Sequence, residues 1–392
     1  MEPTEEQQQA LQKVTDNDLT GLQALLSTAK FDIDFVDTNG MTLLQHAVYK
    51  GNHDIAQILI DQGADVNSSK HEHNYSPLHF AALSGKEEVC MLLLQHGAKS
   101  QVLNTVKRTP AQMAAFVGNH GCVAAINNFV PRSDIDYYTT PRGLDKEPKL
   151  EPALTEVFHK FIMQVNVHPI GILLFLRTNR TLVEKHRQVK AVLNLMCEKE
   201  MKRGHETNEV LSFKFHWLSN VLEELTMAEE GELMKEGKEK DVLEYCIKKL
   251  IKPSGLDQFV RVTVHRFPYI QSTLFMQIAN GVASTIKDPH YEKGSLMSVI
   301  TSAINGHRGF ASDSQCSACS NEKATRRCSR CKSEVYCGAE CQKVHWSLHK
   351  KGCKPASAVD AKKDAAKMKE NEQASIADLV SQQLASQSLE VK

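Results

Sequence analysis

The chain has 392 residues, of which 41% are apolar and 24% charged; these near-average values exclude wholesale disorder, and the length predicts two or three domains. Basic and acidic residues number 47 each, and a zero net charge disfavours a protein that binds nucleic acid by bulk charge. Eleven cysteines are too few for a disulfide-rich secreted scaffold.

The N-terminal residues are acidic and polar, without the basic and apolar stretches of a signal peptide. The longest apolar runs, such as Ile170 to Leu176, are far shorter than the roughly 20 residues of a membrane span. We therefore expect a cytoplasmic protein without membrane insertion, whose thiols are reduced or bound to metal.

The first third of the chain repeats itself with a period near 33 residues. Gly51 precedes Gly85 by 34 positions, and Gly85 precedes Gly118 by 33. In the same register, phrases such as Ser76-Pro-Leu-His-Phe-Ala81 offer a helix cap, a first-turn proline and a small residue for close packing. This pattern resembles the ankyrin repeat. It predicts three full repeats over 40–130, after an N-terminal segment, 1–39, that contains a degenerate capping repeat.

Histidines crowd one of these repeats. His71, Glu72, His73 and His79 could be interpreted as a metal cluster. The favoured interpretation is that His71 and His73 decorate a lengthened turn, while His79 is the usual histidine of the repeat phrase. An ankyrin stack carries no chemistry by itself and presents its concave face to partners.

A proline-rich and charged stretch, 131–152, predicts an extended linker that ends the repeat array. Residues 153–310 then show apolar residues at helical spacing and predict an all-α domain of about six helices. Pro253-Ser-Gly255 is interpreted as closing the fourth of them, and 229–240 as a solvated connection. No nucleotide-binding loop or nucleophile elbow occurs, so no catalytic or cofactor-binding residue is predicted and the chain is not expected to be an enzyme.

Seven cysteines and a histidine follow in four spaced pairs, enough for two tetrahedral zinc ions. The metal candidates are Cys316, Cys319, Cys328, Cys331, Cys337, Cys341, His349 and Cys353. Ligands with three residues between them lie at i and i+4 on one face of a helix, which predicts short helices for the last two pairs. A segment of this size cannot build an adequate core, so metal binding is expected to stabilise it. Spacing alone allows both a sequential and an interleaved arrangement of the pairs.

The phrase from Tyr336 to Cys353 closely resembles the MYND zinc finger over 316–353. The resemblance implies interleaved sites, with the first and third pairs at one zinc ion and the second and fourth at the other. It also implies that His345 is not a ligand, and that Tyr336 and Trp346 form the small core and the edge of a groove.

Residues 316–354 carry nine basic and three acidic side chains, and such a patch could contact phosphates. MYND fingers generally bind short proline-containing peptides, so the resemblance favours peptide over direct nucleic-acid binding. The tail, 354–392, is expected to be mobile, with a short amphipathic helix between Ile376 and Leu384.

Repeats, helical middle and finger together make the chain similar to the ankyrin-repeat and MYND-domain-containing protein family, specifically its type 2 branch. The phrases Ala111 to Gly118 and Tyr137 to Leu150 carry the resemblance to that branch. It implies a cytoplasmic adaptor that delivers membrane signalling proteins, such as cyclases, to cilia. It also implies an immunophilin-type peptidyl-prolyl isomerase homologue as partner of the finger. The alternatives are a MYND-type transcriptional corepressor adaptor and a lysine methyltransferase; the helical middle without a methyl-donor phrase disfavours the latter.

Overall fold

A computed structural model describes residues 3–28, 30–143, 146–231, 241–288, 290, 292, 294–306, 315–322 and 324–354. Two compact units result: the first extends to Ala311 and holds the repeats and the middle helices, and the second begins at Ser312 and holds the finger. The prediction of a mainly α protein with an ankyrin solenoid, a helical middle and a small finger is confirmed.

Helix pairs stack one on another in the first part of the chain. They are α1 (Glu5–Thr15), α2 (Leu19–Thr28), α3 (Leu43–Lys50), α4 (His53–Asp61), α5 (Pro77–Ser84), α6 (Glu87–Gln95), α7 (Pro110–Phe116) and α8 (His120–Asn128). The inner helices α1, α3, α5 and α7 pack in succession, as do the outer helices α2, α4, α6 and α8. The first pair occupies the segment predicted to cap the array.

The repeat phrases form helix caps that also join neighbouring repeats. Thr42 Oγ1 accepts a hydrogen bond from the amide of Gln45, and this glutamine then donates from Nε2 to the carbonyl of Tyr75 in the next repeat (2.9 Å). His79 holds the equivalent place one repeat later and donates from Nε2 to the carbonyl of Arg108 (3.1 Å). Burial lowers the pKa of His79, which keeps the imidazole neutral for this bridging role.

The turns that link the repeats need left-handed backbone at one equivalent position. Gly40, Asn74 and Lys107 occupy it, with φ values of 74°, 53° and 59°. Glycine adopts this conformation without steric cost and asparagine tolerates it, whereas lysine does so under strain. The third turn is therefore the most strained of the three.

The stretch predicted as an extended linker contains a helix, α9 (Arg132–Thr139). Ile135 and Tyr138 on this helix are buried, and the amide of Leu150 donates to the carbonyl of Tyr138 (2.9 Å). The prediction of an extended linker was wrong over α9, because tertiary burial stabilises a helix that is too short to persist alone.

The middle of the chain forms a helical bundle. Its helices are α10 (Thr155–Ile162), α11 (Pro169–Thr178), α12 (Arg180–Glu184), α13 (His186–Met201), α14 (Glu209–Glu230), α15 (Val242–Leu250), α16 (Pro253–His265), α17 (Thr273–Lys287) and α18 (Leu296–Asn305). The apolar residues at helical spacing from which about six helices were predicted lie on α10, α13, α14, α15, α17 and α18. The estimate of about six helices was therefore too low, since α11, α12 and α16 were missed.

Helix α16 was missed because a proline was taken as the end of a helix, whereas Pro253 stands at the first position of the next one, where its missing N–H is not needed. Helix α11 is apolar on several sides and so shows no amphipathic stripe. The predicted solvated connection is described only as far as Gly231, the rest lying outside the described residues.

The long helix α14 lies at the centre of the bundle. Trp217 is fully buried and donates from Nε1 to the carbonyl of Val167 (2.8 Å). His216 beside it donates from Nε2 to the carbonyl of Thr263 (2.8 Å). Both side chains therefore have their ring N–H groups paired inside the bundle and contribute to its packing.

The bundle covers the exposed end of the repeat array. Asn128 on α8 donates to the side chain of Asn305 at the end of α18, and Asn127 donates to the carbonyl of Ile304, both at 2.8 Å. A repeat array needs such a cover because its last repeat has no following repeat to bury its face.

The finger contains a two-stranded antiparallel sheet, β1 (Arg326–Arg327) and β2 (Val335–Tyr336), followed by helix α19 (Ala339–His349). Arg326 lies opposite Tyr336, whose side chain is fully buried. The helix predicted between Ile376 and Leu384 lies outside the described residues. Within the described part of the chain, no helix combines the length and apolarity needed to cross a membrane.

Candidate metal centres and binding surfaces

Two turns of the same shape carry the first four cysteines. Each Cys-x-x-Cys pair, 316–319 and 328–331, is followed by a left-handed residue, Ser320 (φ 55°) or Lys332 (φ 61°). The amide of that residue donates to the carbonyl of the first cysteine of its pair, at 2.8 and 3.0 Å. This closed turn directs both thiols of a pair to the same side.

Helix α19 supplies one candidate ligand to each of two clusters. Cys341 lies in its first turn and His349 at its last residue. Cys337 precedes the helix and Cys353 follows it, so the prediction that each of these pairs shares a short helix was wrong. The two helical residues are eight positions apart and serve different clusters.

The first cluster contains Cys316, Cys319, Cys337 and Cys341, whose sulfur atoms all lie within 4.8 Å of one another. The separations are 3.6 Å between Cys319 and Cys337, 3.4 Å between Cys337 and Cys341, and 3.6 Å between Cys341 and Cys319. A tetrahedral zinc ion with Zn–S distances of about 2.3 Å requires sulfur separations of about 3.8 Å. The cluster is therefore close to zinc geometry.

The second cluster contains Cys328, Cys331, His349 and Cys353. His349 Nε2 lies 3.4 Å from the sulfurs of Cys328 and Cys331, and the sulfurs of Cys328 and Cys353 are 3.8 Å apart. A zinc ion bound by nitrogen and sulfur would require about 3.5 Å for the first type of contact. The backbone amide of Cys331 lowers the pKa of the Cys328 thiol to about 6, which favours the thiolate that metals bind.

The pairs are thus interleaved in space, and the fold resolves the choice that spacing left open. Thiolate and imidazole donors in a closed tetrahedral set are the ligands of structural zinc. The finger fits two zinc ions. Among the residues that the structure describes, no third cluster of possible metal ligands occurs.

Two ring side chains, His345 and Trp346, contact His349, and Tyr336 contacts His345 in turn. Tyr336 Oη lies 3.0 Å from His345 Nδ1, and the ring of His345 stacks on His349 with centroids 5.9 Å apart. His345 belongs to neither cluster. Trp346 contacts the edge of His349 at 5.8 Å and remains 41% exposed. The ring of His349 is therefore contacted from two sides, and the side chain of Trp346 is left partly at the surface.

A groove of about 390 Å³ opens beside this tryptophan. It is lined by Cys328, Ser329, Arg330, Ala339, Gln342, Lys343 and Trp346. Because the groove includes a cysteine of the second cluster, its shape depends on that cluster being intact.

A second exposed aromatic surface lies on the inner helices of the repeats, and the sequence reading did not find it. Tyr49 lies in the last turn of α3 and Phe116 in the last turn of α7, at equivalent repeat positions, with exposures of 54% and 70%. Tyr49 packs against the ring of Phe80 (5.8 Å), and the guanidinium of Arg108 lies over Phe116 at 4.4 Å. The recurrence of a large apolar residue in the last turn of an inner helix was the available signal.

The repeat histidines extend this surface. The ring of His71 stacks on Tyr75 at 5.3 Å and meets Phe80 edge-on at 5.2 Å, and His73 lies 5.4 Å from His71. These histidines therefore belong to an aromatic cluster.

These features define a class of protein: a helical repeat array followed by a small finger with two clusters of metal-ligand side chains. The family model for ankyrin repeats matches residues 9–104 in three copies, and that for the MYND finger matches 316–353.

The similarity to one relative extends over most of both chains. Dauer abnormal formation protein 25 of Caenorhabditis elegans is 33% identical over 350 residues, which cover 86% of this chain and 87% of that protein. The chain therefore belongs to the ankyrin-repeat and MYND-domain family.

Other relatives match only in part. E3 ubiquitin-protein ligase hecd-1 of Caenorhabditis elegans is 33% identical over 27% of this chain and 4% of its own length. Putative E3 ubiquitin-protein ligase XBAT35 of Arabidopsis thaliana is 35% identical over 30% of this chain and 26% of its own length. The chain spans a small part of these ligases, so their activity is not transferred to it.

Proposed function

We propose that this protein is a non-enzymatic adaptor that holds one protein partner on its repeats and another on its finger. The observation that carries the proposal is the presence of two exposed aromatic surfaces on two separate compact units. Aromatic residues exposed beside polar ones are typical of protein-binding sites. Ankyrin repeats and MYND fingers are both typically protein-binding modules.

The eight clustered residues are, in this proposal, the ligands of two structural zinc ions. Cys316, Cys319, Cys337 and Cys341 bind one ion, and Cys328, Cys331, His349 and Cys353 bind the other. Four ligands close each site, so no coordination position remains for a substrate. The ions hold the turns and α19 in place, which a two-stranded sheet and one helix could not do alone.

The finer proposal concerns the cargo. Membership of the family supports a cytoplasmic and ciliary protein that delivers membrane signalling proteins, such as cyclases, to cilia. An immunophilin-type peptidyl-prolyl isomerase homologue is the proposed partner of the finger. Direct nucleic-acid binding and membrane insertion form no part of this proposal.

Affinity capture of the tagged full chain from ciliated cells, combined with imaging of its location, tests these proposals. The double variant Tyr49→Ala/Phe116→Ala should lose one set of partners, and Trp346→Ala should lose a different set. Tyr137→Ala serves as the control, because this tyrosine is also exposed but lies on neither surface.

Two outcomes would overturn the adaptor proposal. If neither surface variant loses a partner that the control retains, the protein does not use these surfaces. If the purified protein transfers a labelled methyl group to a protein substrate, it is an enzyme. Exclusively nuclear staining would overturn the ciliary part alone and favour the corepressor alternative.

A further inference from the structure

We propose that Thr140 is the residue that the folded chain offers to a proline-directed serine/threonine protein kinase, and that Arg142 binds the phosphate once it is transferred. The proposal does not depend on the adaptor function. In the transfer, the γ-phosphoryl group of a nucleoside triphosphate leaves the diphosphate and bonds to Oγ1 of Thr140, while the hydroxyl proton passes to the base of the kinase.

Three Ser/Thr-Pro dipeptides occur in the chain. They are Ser76-Pro77, Thr109-Pro110 and Thr140-Pro141. Proline-directed kinases require a proline directly after the acceptor and bind this segment in an extended conformation. By sequence alone each dipeptide is therefore a candidate, and the local structure distinguishes them.

The first two dipeptides form helix caps inside the repeats. Ser76 and Thr109 are the N-cap residues of α5 and α7, and in each case the proline is the first residue of the helix. Ser76 is only 1% exposed, and its Oγ lies 2.9 Å from Nδ1 of His79. Oγ1 of Thr109 accepts a hydrogen bond from the amide of Gln112 (3.3 Å). Neither segment can become extended for a kinase unless its repeat opens.

Thr140 lies in a different environment. It follows the last residue of α9, is exposed, and has extended backbone (φ −112°, ψ 127°), as a residue before proline prefers. Pro141 and Arg142 are also exposed and belong to no helix or strand. The hydroxyl of Thr140 forms no hydrogen bond with a residue that the structure describes. The acceptor and the chain that follows it therefore already have the conformation that a kinase binds.

The chain before Thr140 must open by about one helical turn to enter a kinase cleft. Helix ends open at little cost in free energy. Tyr138 is nevertheless buried, and its carbonyl accepts a hydrogen bond from the amide of Leu150 (2.9 Å). We therefore expect transfer to Thr140 to be somewhat slower than in a free peptide, but far faster than transfer to a residue whose whole repeat must open.

The charges near Thr140 indicate where the phosphate binds. A phosphothreonine carries a charge of about −1.5 to −2 at pH 7, which is unfavourable at the C-terminal end of a helix. The guanidinium of Arg142 lies over the ring of Tyr137 at 4.8 Å and forms no ion pair with a residue that the structure describes. Lys199 faces the same ring at 5.6 Å but is paired with Asp134 (3.1 Å). Arg142 is therefore the cation that is available to the phosphate.

The test uses the zinc-loaded full chain and three short peptides, one centred on each dipeptide, as substrates of a purified mitogen-activated protein kinase with Mg²⁺ and ATP. Mass spectrometry follows the rate at each acceptor. We expect all three peptides to be phosphorylated. In the folded chain, the rate at Thr140 should be within about tenfold of that in its peptide, whereas the rates at Ser76 and Thr109 should be at least about a hundredfold below those in theirs.

Two matched variants identify the acceptor. Thr140→Val removes the hydroxyl and should abolish the modification of the folded chain. Thr139→Val removes a neighbouring hydroxyl that has no proline after it, and should leave the modification in place.

A second pair of variants, each lacking one positive charge, tests the role of Arg142. Titration of the phosphorylated chain by ³¹P NMR gives the second pKa of the phosphate, which is ordinarily about 6. Arg142→Gln should raise this pKa by about 0.3, because a neighbouring cation favours the dianion. Lys146→Gln removes a charge from an exposed position farther along the chain, and should change the pKa by less than about 0.1.

Three results would overturn the proposal in whole or in part. The absence of transfer to Thr140 in the folded chain would overturn all of it. Transfer to Ser76 or Thr109 as fast as to Thr140 in the folded chain, or a Ser76 or Thr109 peptide that is not a substrate, would show that the fold does not select the site. Equal phosphate pKa values in the Arg142→Gln variant and the parent would overturn the role of Arg142 alone.

Discussion

Lys214 is a buried cation in the middle of the central helix α14. Its side chain is fully buried, and Nζ has no hydrogen-bond partner among the residues that the structure describes. Desolvation lowers the pKa of this amine from 10.5 to about 7. The folded unit therefore holds the lysine largely neutral near physiological pH, at a cost in stability.

The size and the sign of the effect of Lys214 on the free energy of unfolding follow from its pKa values in the unfolded and folded chain. In the unfolded chain Lys214 binds a proton up to pH 10.5, whereas in the folded chain it releases it near pH 7. Between these values the unfolded state holds more protons, so stability rises with pH by up to about 1.4 kcal/mol per pH unit. At pH 7.5 the neutralisation costs at most about 4 kcal/mol, and by pH 9 about 2 kcal/mol.

Lys214→Met retains the length of the side chain and removes the amine. We expect the free energy of unfolding to rise by about 2–4 kcal/mol at pH 7.5, and the advantage over the parent to shrink by pH 9. Urea unfolding followed by the fluorescence of Trp217, in a Trp346→Phe background, reports on this unit alone. Lys160→Met, at an exposed position, is the matched control and should change stability by less than about 0.5 kcal/mol.

The comparison of parent and variant cancels every other titrating group. A stability difference that stays constant from pH 7 to 9, or a variant less stable than the parent, would refute the reasoning. Either result would mean that the Lys214 amine is charged and paired in the folded protein.

Three further predictions concern other parts of the molecule. Removal of zinc with a chelator should unfold the finger and leave the first unit folded; in ¹⁹F NMR of the 5-fluorotryptophan-labelled chain, the Trp346 signal moves and the Trp217 signal does not, and simultaneous loss of both would contradict this. Lys107→Gly should raise the free energy of unfolding by about 0.5–1 kcal/mol, because glycine accepts the left-handed backbone; an unchanged or lower urea midpoint would argue against strain there. Burial raises the pKa of Glu200 to about 7, so the contribution of Glu200 to the free energy of unfolding falls as pH rises from about 4.5 to 7. Glu200→Gln should therefore flatten the pH dependence of the free energy of unfolding in that window relative to the parent.

Local signals explain what could be predicted at the level of single elements. The caps at Thr42, Ser76 and Thr109, the first-turn prolines and the repeating glycines each act within a few residues, so their pattern is visible along the chain. The period of 33–34 residues repeats these local signals and predicts the stack. Helix α16 shows where local signals are insufficient for prediction, since Pro253 is equally compatible with the end of one helix and the start of the next.

The sequence by itself determined the repeat array, the donor set for two zinc ions and the helical character of the middle, because each depends on residue type and short-range spacing. The tertiary structure decided which cysteine pairs share a cluster, since that choice depends on contacts between residues about 20 positions apart. It also stabilised α9 by burying Tyr138, and brought Tyr49 and Phe116, far apart in sequence, onto one face. The groove joins a metal-binding turn to a helix, and its pairing of Arg330 with Lys343 exists only once the finger has folded.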